Sequence, residues 1–205
     1  MIAIINYGMG NLNSVKKAFV RVGADVVVTD NHELILKADK LVLPGVGNFE
    51  KGMEKLESTG LRKLLDEAVL VMNKPILGIC LGMQLFTSFS EEGNVEGMNW
   101  IPGKTNNLGK PEFRGKALPV PHMGWNDVQM QNEHPVFSGI PSDATFYFVH
   151  SYAVDCENNE HVVGRTFYGK SFDSVIARNN IIGTQFHPEK SHHYGLKIIE
   201  NYCKL

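Results

Sequence analysis

Along the first ninety residues, short β-branched runs alternate with stretches whose apolar positions recur at helical spacing. The pattern predicts strands at Ile2–Asn6, Ala24–Thr29, Lys40–Leu43 and Pro75–Ile79. Between and after them it predicts helices at Leu12–Val22, Met53–Val71 (one helix or two) and Met83–Phe89. Strands that are apolar on both faces and separated by helices imply a parallel sheet covered on both sides. From about Met98 the texture changes, and Pro and Gly punctuate shorter strand-like runs at Asn126–Gln129, Thr145–Val149, Val162–Thr166, Ser174–Arg178 and Ile181–Phe186. The expectation is one α/β domain over residues 1–205. Its mixed, mostly parallel sheet is flanked by helices, extended by the second half and closed by a helix at Tyr194–Cys203.

Composition narrows the function classes. With 205 residues, 43% hydrophobic and 20% charged, the chain has an ordinary globular make-up and room for one proper core. A formal net charge of -2 gives no bulk electrostatic reason to bind nucleic acid or a membrane surface. The apolar start, Met1 to Ile5, reaches Asn6 at once and is too short for a signal peptide or a span. Cys80, Cys156 and Cys203 are odd in number and widely scattered, which fits neither a disulfide framework nor zinc spacing and points to a reducing cytoplasm.

The chemistry starts at Gly78-Ile79-Cys80-Leu81-Gly82, where a strand should turn sharply into a helix. That is a nucleophile-elbow pattern with Cys in place of Ser. The turn wants small flanking residues, pushes the side chain outward, and sets the thiol at helix amides that favour thiolate. A structural cysteine packed beside glycines fits the pentapeptide equally well. A nucleophile needs a base, and His187 ends an apolar strand in Gly183-Thr184-Gln185-Phe186-His187-Pro188-Glu189. Pro188 holds His187 extended, so Glu189 can turn the same way and fix the imidazole tautomer. Taken alone, the triplet is a surface turn; with the elbow, catalysis leads. Pro44-Gly45-Val46-Gly47 also follows a strand, and amides of Val46 or Gly47 with Leu81 could form an oxyanion hole. An ordinary Pro-Gly turn explains that stretch too.

A rival reading starts at Gly8 and Gly10, which follow the first strand, with Asp30 ending the second about twenty residues on. That is a partial dinucleotide fingerprint with Asn13 where its third Gly should stand, and it would make the chain a nucleotide-binding module. It leaves Cys80, His187 and Glu189 without a task. No Walker pattern occurs, and His192-His193 lacks the partners of a metal site.

With these pieces together, the chain resembles the class I (triad-type) glutamine amidotransferases, and most closely the glutaminase subunits of imidazole glycerol phosphate synthase, of histidine biosynthesis. The resemblance runs nearly end to end: YGMGNLNSVKKA (7–18), LPGVGNF (43–49), GICLGMQLF (78–86), SEE (90–92), PHMGWN (121–126), FVHSY (148–152) and GTQFHPEKS (183–191). It implies a flavodoxin-like fold in which Cys80 attacks the side-chain amide of glutamine, His187 moves protons and Glu189 orients His187. It implies glutamine binding by Gln84 and Glu92 with the backbone around Gly45, His150, Ser151 and Tyr152. Asn11, Trp125, Tyr147 and Lys190 match positions that the family turns toward its partner, a (β/α)₈-barrel cyclase subunit that receives the ammonia in a heterodimer. No cofactor and no metal is implied. Two stretches depart from the family pattern: Lys104 to Leu108, where a valine and then an aromatic residue are usual, and His192, where Gln is more usual. Related glutaminases that feed ammonia to enzymes aminating bacterial surface sugars keep every motif quoted, so the acceptor stays open.

Overall fold

The computed structural model describes residues 1–205. Five parallel strands form its centre: β1 (Ile2–Ile5), β2 (Val26–Thr29), β3 (Lys40–Gly45), β4 (Ile76–Cys80) and the strand Ile181–Thr184, in the order β2-β1-β3-β4-(181–184). Alternate residues of these strands feed two different cores. Ala3, Ile5, Leu41, Leu43 and Ile76 pack with Ile35, Leu56, Leu61 and Leu65 on one face. Ile2, Ile4, Val42, Leu77 and Ile79 pack with Val15, Phe19, Ile199 and Tyr202 on the other. Burial on both sides is why β1 and β4 contain no charged residue.

The first face is covered by α2 (His32–Lys37), α3 (Phe49–Ser58) and α4 (Leu61–Asp66), and the second by α1 (Leu12–Arg21) and α6 (His192–Lys204). Asn11, Asn31 and Asn48 each cap a helix by accepting a backbone N–H three residues on. The pattern did not anticipate α2, because six residues with a single buried position, Ile35, are too few to show a period. The stretch expected as helix from Met53 to Val71 starts earlier, at Phe49, and breaks at Gly60, whose φ is +73°. It then ends in a π turn, Glu67–Val71.

The helix expected at Met83–Phe89 is instead a single turn, α5 (Leu81–Gln84). The Thr87 hydroxyl donates to the Gln84 carbonyl at 2.9 Å, and Ser88 N–H goes to Gly103 O at 3.0 Å. The chain thus leaves the helix to enter the sheet at Phe89–Ser90.

Beyond Ile181–Thr184 the sheet continues antiparallel through Lys170–Arg178, Tyr152–Cys156 and Gly103–Asn107. The stretch that departs from the family pattern lies in the last of these, with Thr105 and Leu108 buried and Lys104 exposed. A separate two-stranded ribbon pairs His122–Asp127 with Thr145–His150 in the register His122↔His150 and Trp125↔Tyr147. Its first strand begins four residues before the Asn126 start the pattern suggested. Met123 and Trp125 face outward there, so hydrophobicity does not mark the buried side.

Candidate active site

The carboxyl ends of β3, β4 and Ile181–Thr184 meet on one edge of the sheet, where open α/β folds place their sites. Cys80 is the last residue of β4, with φ 55° and ψ −109°, a strained conformation for a residue with a Cβ. The flanking glycines serve a different purpose from the turn. A Cβ on Gly82 would lie 1.8 Å from Leu43 O, and one on Gly78 would lie 2.5 Å from the Phe86 ring. They are glycines for close packing, and the unusual φ belongs to the cysteine. The thiol is 7% exposed, so it sits at the base of a pocket, where the elbow pattern suggested an outward-pointing side chain. Because α5 is a single turn, little of a helix macrodipole acts on the sulfur.

His187 and Glu189 converge as the spacing proposed, by a different backbone route. His187 is extended, while Pro188–Lys190 forms a 3-10 turn that brings Glu189 back. His187 Nδ1 lies 2.8 Å from Glu189 Oε1, and each side chain is 2% exposed. Burial alone would lower the imidazole pKa; the Cys80 sulfur and the Glu189 carboxylate outweigh it and push it up to about 10. His187 Nε2 and Glu189 Oε2 make no hydrogen bond, so the ring keeps one nitrogen uncommitted.

A cavity of about 270 Å³ opens over the thiol, lined by Val46, Gly47, Leu81, Gln84, Glu92, His150, Ser151 and Tyr152, and by Pro121 and Val149, which the sequence did not single out. Val46 is 41% exposed and Gly47 has φ +115°. Gly45 stands apart from the lining. Its missing side chain is the space that the Tyr7 hydroxyl fills, since a Cβ there would be 2.4 Å from that oxygen. Tyr7 is buried with no partner for its hydroxyl, and burial followed by the nearby Cys80 raises its pKa. Glu92 both faces the cavity and accepts Phe49 N–H at 2.7 Å, at the start of α3.

The His150 ring is fully engaged. Its Nδ1 donates to Tyr152 O at 2.7 Å, so its Nε2 accepts from His122 Nδ1 at 3.0 Å. What His150 can offer a ligand is its backbone and ring face. Trp125, Tyr147 and Lys190 gather on the outer side of the ribbon: Trp125 meets Tyr147 edge-on at 6.0 Å, and Lys190 Nζ lies 5.8 Å from the Tyr147 ring centre. His192 joins them, stacked on Trp125 at 4.8 Å with an 8° interplanar angle. Asn11 is an exposed helix cap at the start of α1. The Gly8–Gly10 turn of the nucleotide reading is explained by packing and conformation, with φ +82° and +113° and Gly10 set against the Pro44 carbonyl. No group of three His, Cys, Asp or Glu residues is placed to hold a metal ion.

This arrangement can do acyl transfer through sulfur. The profile of the family Glutamine amidotransferase class-I matches residues 3–204. The chain belongs to the class I glutamine amidotransferases. Within that family it is 44% identical, over 100% of its own length and 99% of the relative's, to imidazole glycerol phosphate synthase subunit HisH 2 of Methanococcus maripaludis. It is 47% identical to the HisH subunit of Sulfurimonas denitrificans, covering 100% of this chain and 98% of that one. Among solved structures, a glutamine amidotransferase of Thermotoga maritima has the same fold, with TM-score 0.64 at 18% identity over 99% of this chain and 82% of that one. PurLQS of the same organism reaches 0.71 at 15%, over 99% and 97%. For this amidotransferase, the residue that motif reading passed over is Gln185. It is wholly buried, and its Nε2 lies 3.7 Å from Cys80 Sγ. Its place two residues before His187 on the same strand end was the available signal.

Proposed function

We propose that the chain is the glutaminase subunit of an imidazole glycerol phosphate synthase, with Cys80, His187 and Glu189 as its catalytic residues. The observation that carries the chemistry is the buried His187–Glu189 couple beside a strained cysteine at the base of a cavity. With its pKa near 10, His187 is an imidazolium at neutral pH and is equipped to act first as an acid. The Cys80 thiolate adds to the amide carbon of glutamine, and amides of Val46 or Gly47 with Leu81 hold the oxyanion. His187 then gives its proton to the departing nitrogen, which leaves as ammonia, and a γ-glutamyl thioester remains. Acylation removes the sulfur's negative charge and with it one of the influences that raised the His187 pKa. The imidazole becomes a readier base for water, whose addition releases glutamate and the thiolate.

Gln84 and Glu92 serve glutamine recognition. Both Nε2 hydrogens of Gln84 are used, at 2.9 Å to Tyr152 O and 2.9 Å to Gln185 Oε1, so its carbonyl oxygen is what remains for substrate. The partner is a cyclase subunit, docked on the face that carries Trp125, Tyr147 and Lys190, with Asn11 at its margin. The setting is the cytoplasm, consistent with three free cysteines; no helix is long and apolar enough to cross a membrane.

The direct test is labelling with a glutamine-analogue electrophile. Cys80 should react while Cys156 and Cys203 are spared, because burial raises both of their pKa values and holds them as thiols. Labelling spread over all three would end the assignment. A Cys80→Ala complex should still form product from ammonium salt at alkaline pH, and the partner that co-purifies identifies the acceptor.

A further inference from the structure

Sulfur in this site has two sets of neighbours. As a thiol, Cys80 Sγ can donate to Val149 O at 3.8 Å. As a thiolate it can only accept, and the N–H donor beside it is Gln185 Nε2 at 3.7 Å. The orientation of that donor is forced, although nitrogen and oxygen of an amide look alike in outline. A backbone carbonyl only accepts, so at Tyr152 O the Gln84 side chain must present its nitrogen. The second Gln84 hydrogen then meets Gln185, which must turn its oxygen toward Gln84 and its nitrogen toward the sulfur. The reversed amide would set two donors against each other. The anchoring carbonyl is itself held from the other side by His150 Nδ1, and Gln185 N–H is fixed on Ser174 O at 2.8 Å.

We propose that Gln185 is a further catalytic residue, an oriented donor that holds the Cys80 thiolate in place and is aimed by Gln84 from the Tyr152 carbonyl. This rests on the glutaminase reading of the site. A one-turn α5 offers the sulfur little dipole, so negative charge arising on it is met by the His187 side chain and by this amide. The other titratable side chains acting near the sulfur are the Tyr7 phenol, a neutral His150 and, through His187, the Glu189 carboxylate. The Tyr7 hydroxyl has no hydrogen-bond partner and makes none to the sulfur, so the N–H that reaches Sγ is that of Gln185. During the reaction the same donor keeps the leaving thiolate stabilised when water displaces it.

The experiment uses the full chain and follows alkylation of Cys80 by chloroacetamide across pH, in Gln185→Leu and Gln185→Glu. The leucine variant loses both donor and acceptor without adding charge. The glutamate variant keeps an acceptor for Gln84, loses the donor and sets a negative charge beside the sulfur, so its move should be at least as large and the leucine variant carries the decision. The expected result is an upward move of about one pH unit in the alkylation midpoint of each variant that folds, with about tenfold slower labelling at neutral pH. An unchanged midpoint in a folded variant overturns the proposal, even where glutamine turnover falls, because loss through packing alone does not move the thiol's titration. Failure of the function reading looks different: wild-type Cys80 would react with chloroacetamide and ignore the glutamine-analogue electrophile.

Discussion

Two pairs of side chains built around buried imidazoles sit within one site and are driven in opposite directions. His187 faces a carboxylate and a sulfur, and its pKa is pushed up to about 10. His122 and His150 face each other, a backbone carbonyl and aromatic rings, and theirs are lowered to about 4 and about 3, mainly by burial. Burial penalises the charged form in both places, so depth alone does not decide a histidine's role. What decides it is whether an anion lies within reach of a ring nitrogen. The Cys80 sulfur and Glu189 Oε1, the latter 2.8 Å away, provide this for His187, whereas His122 has the His150 ring at 3.0 Å and the Asn126 amide at 3.3 Å. One ring is therefore favoured as imidazolium, as the proposed proton transfers need, and the other two are kept neutral.

The most severe way to break that contrast is to remove the carboxylate. Glu189→Gln keeps the shape and a hydrogen-bond partner but takes away the charge. The His187 pKa should fall, and kcat for glutamine hydrolysis should drop on the order of 10²–10⁴. An NMR titration of His187 beside steady-state kinetics checks both. The stability consequence has a definite sign. A pKa raised from 6.5 to about 10 contributes stability that is whole below pH 6.5 and is lost as pH rises toward 10. In Glu189→Gln that alkaline slope in the melting temperature should shrink. If kcat and the His187 titration are both unchanged, the two pairs do not differ for the reason given.

The two pairs also differ in how much of each the sequence reveals. His187 and Glu189 are two residues apart, so a strand end and a proline suffice to bring them together on paper. His122 and His150 are 28 residues apart. They meet only because the ribbon pairs them in register, and the ribbon's first strand is hard to see when Met123 and Trp125 point to solvent. The same holds for the fold. The parallel centre is legible because β1, β3 and β4 are buried on both faces and helices follow β1, β2 and β3. The second half is assembled from antiparallel pairings such as Tyr152–Cys156 with Gly103–Asn107, which no local pattern announces. Gln185 went unnoticed because its value lies in which way an amide points, and Tyr152 O sets that from across the site.

A smaller effect is expected from the neutral pair. His122→Phe keeps the ring stacked at 4.9 Å on Phe148 and 3.9 Å on Tyr168 but leaves His150 Nε2 without its donor. The loss should be about 1–3 kcal/mol at neutral pH by denaturant melts. The acid side should improve in relative terms. A histidine whose folded pKa is lowered contributes stability present above 6.5 and lost as pH falls through the folded value, here about 4. With one such group gone, the fall in stability from pH 6.5 toward pH 4 should be shallower than in the parent. An equally steep fall would mean that other groups carry the acid sensitivity.

The smallest change offers the sharpest comparison, because it tries to turn the neutral pair into the charged kind. Asn126 Nδ2 donates to Phe167 O at 3.0 Å and faces His122 Nε2 at 3.3 Å, while Asn126 Oδ1 accepts Asp127 N–H. Asn126→Asp replaces that donor by a carboxylate oxygen, placed toward His122 much as Glu189 is placed toward His187. The bond to Phe167 O is lost and a carboxylate oxygen faces that carbonyl in its place, at a cost of about 1–3 kcal/mol at neutral pH unless the side chain turns away. In exchange, His122 gains an anion that favours its protonated form, so its pKa should climb from about 4 toward the ordinary value of 6.5. His122 would then offer both ring hydrogens, one to the introduced carboxylate and one to His150, and the tautomer of His150 would be unchanged. Acid sensitivity should shrink, as in His122→Phe, but the stacked ring and the His150 bond survive, which separates the two variants. An NMR titration of His122 reads the result directly. If the pKa stays near 4 beside a new carboxylate, burial outweighs a nearby anion here, and the presence of an anion is not what distinguishes His187.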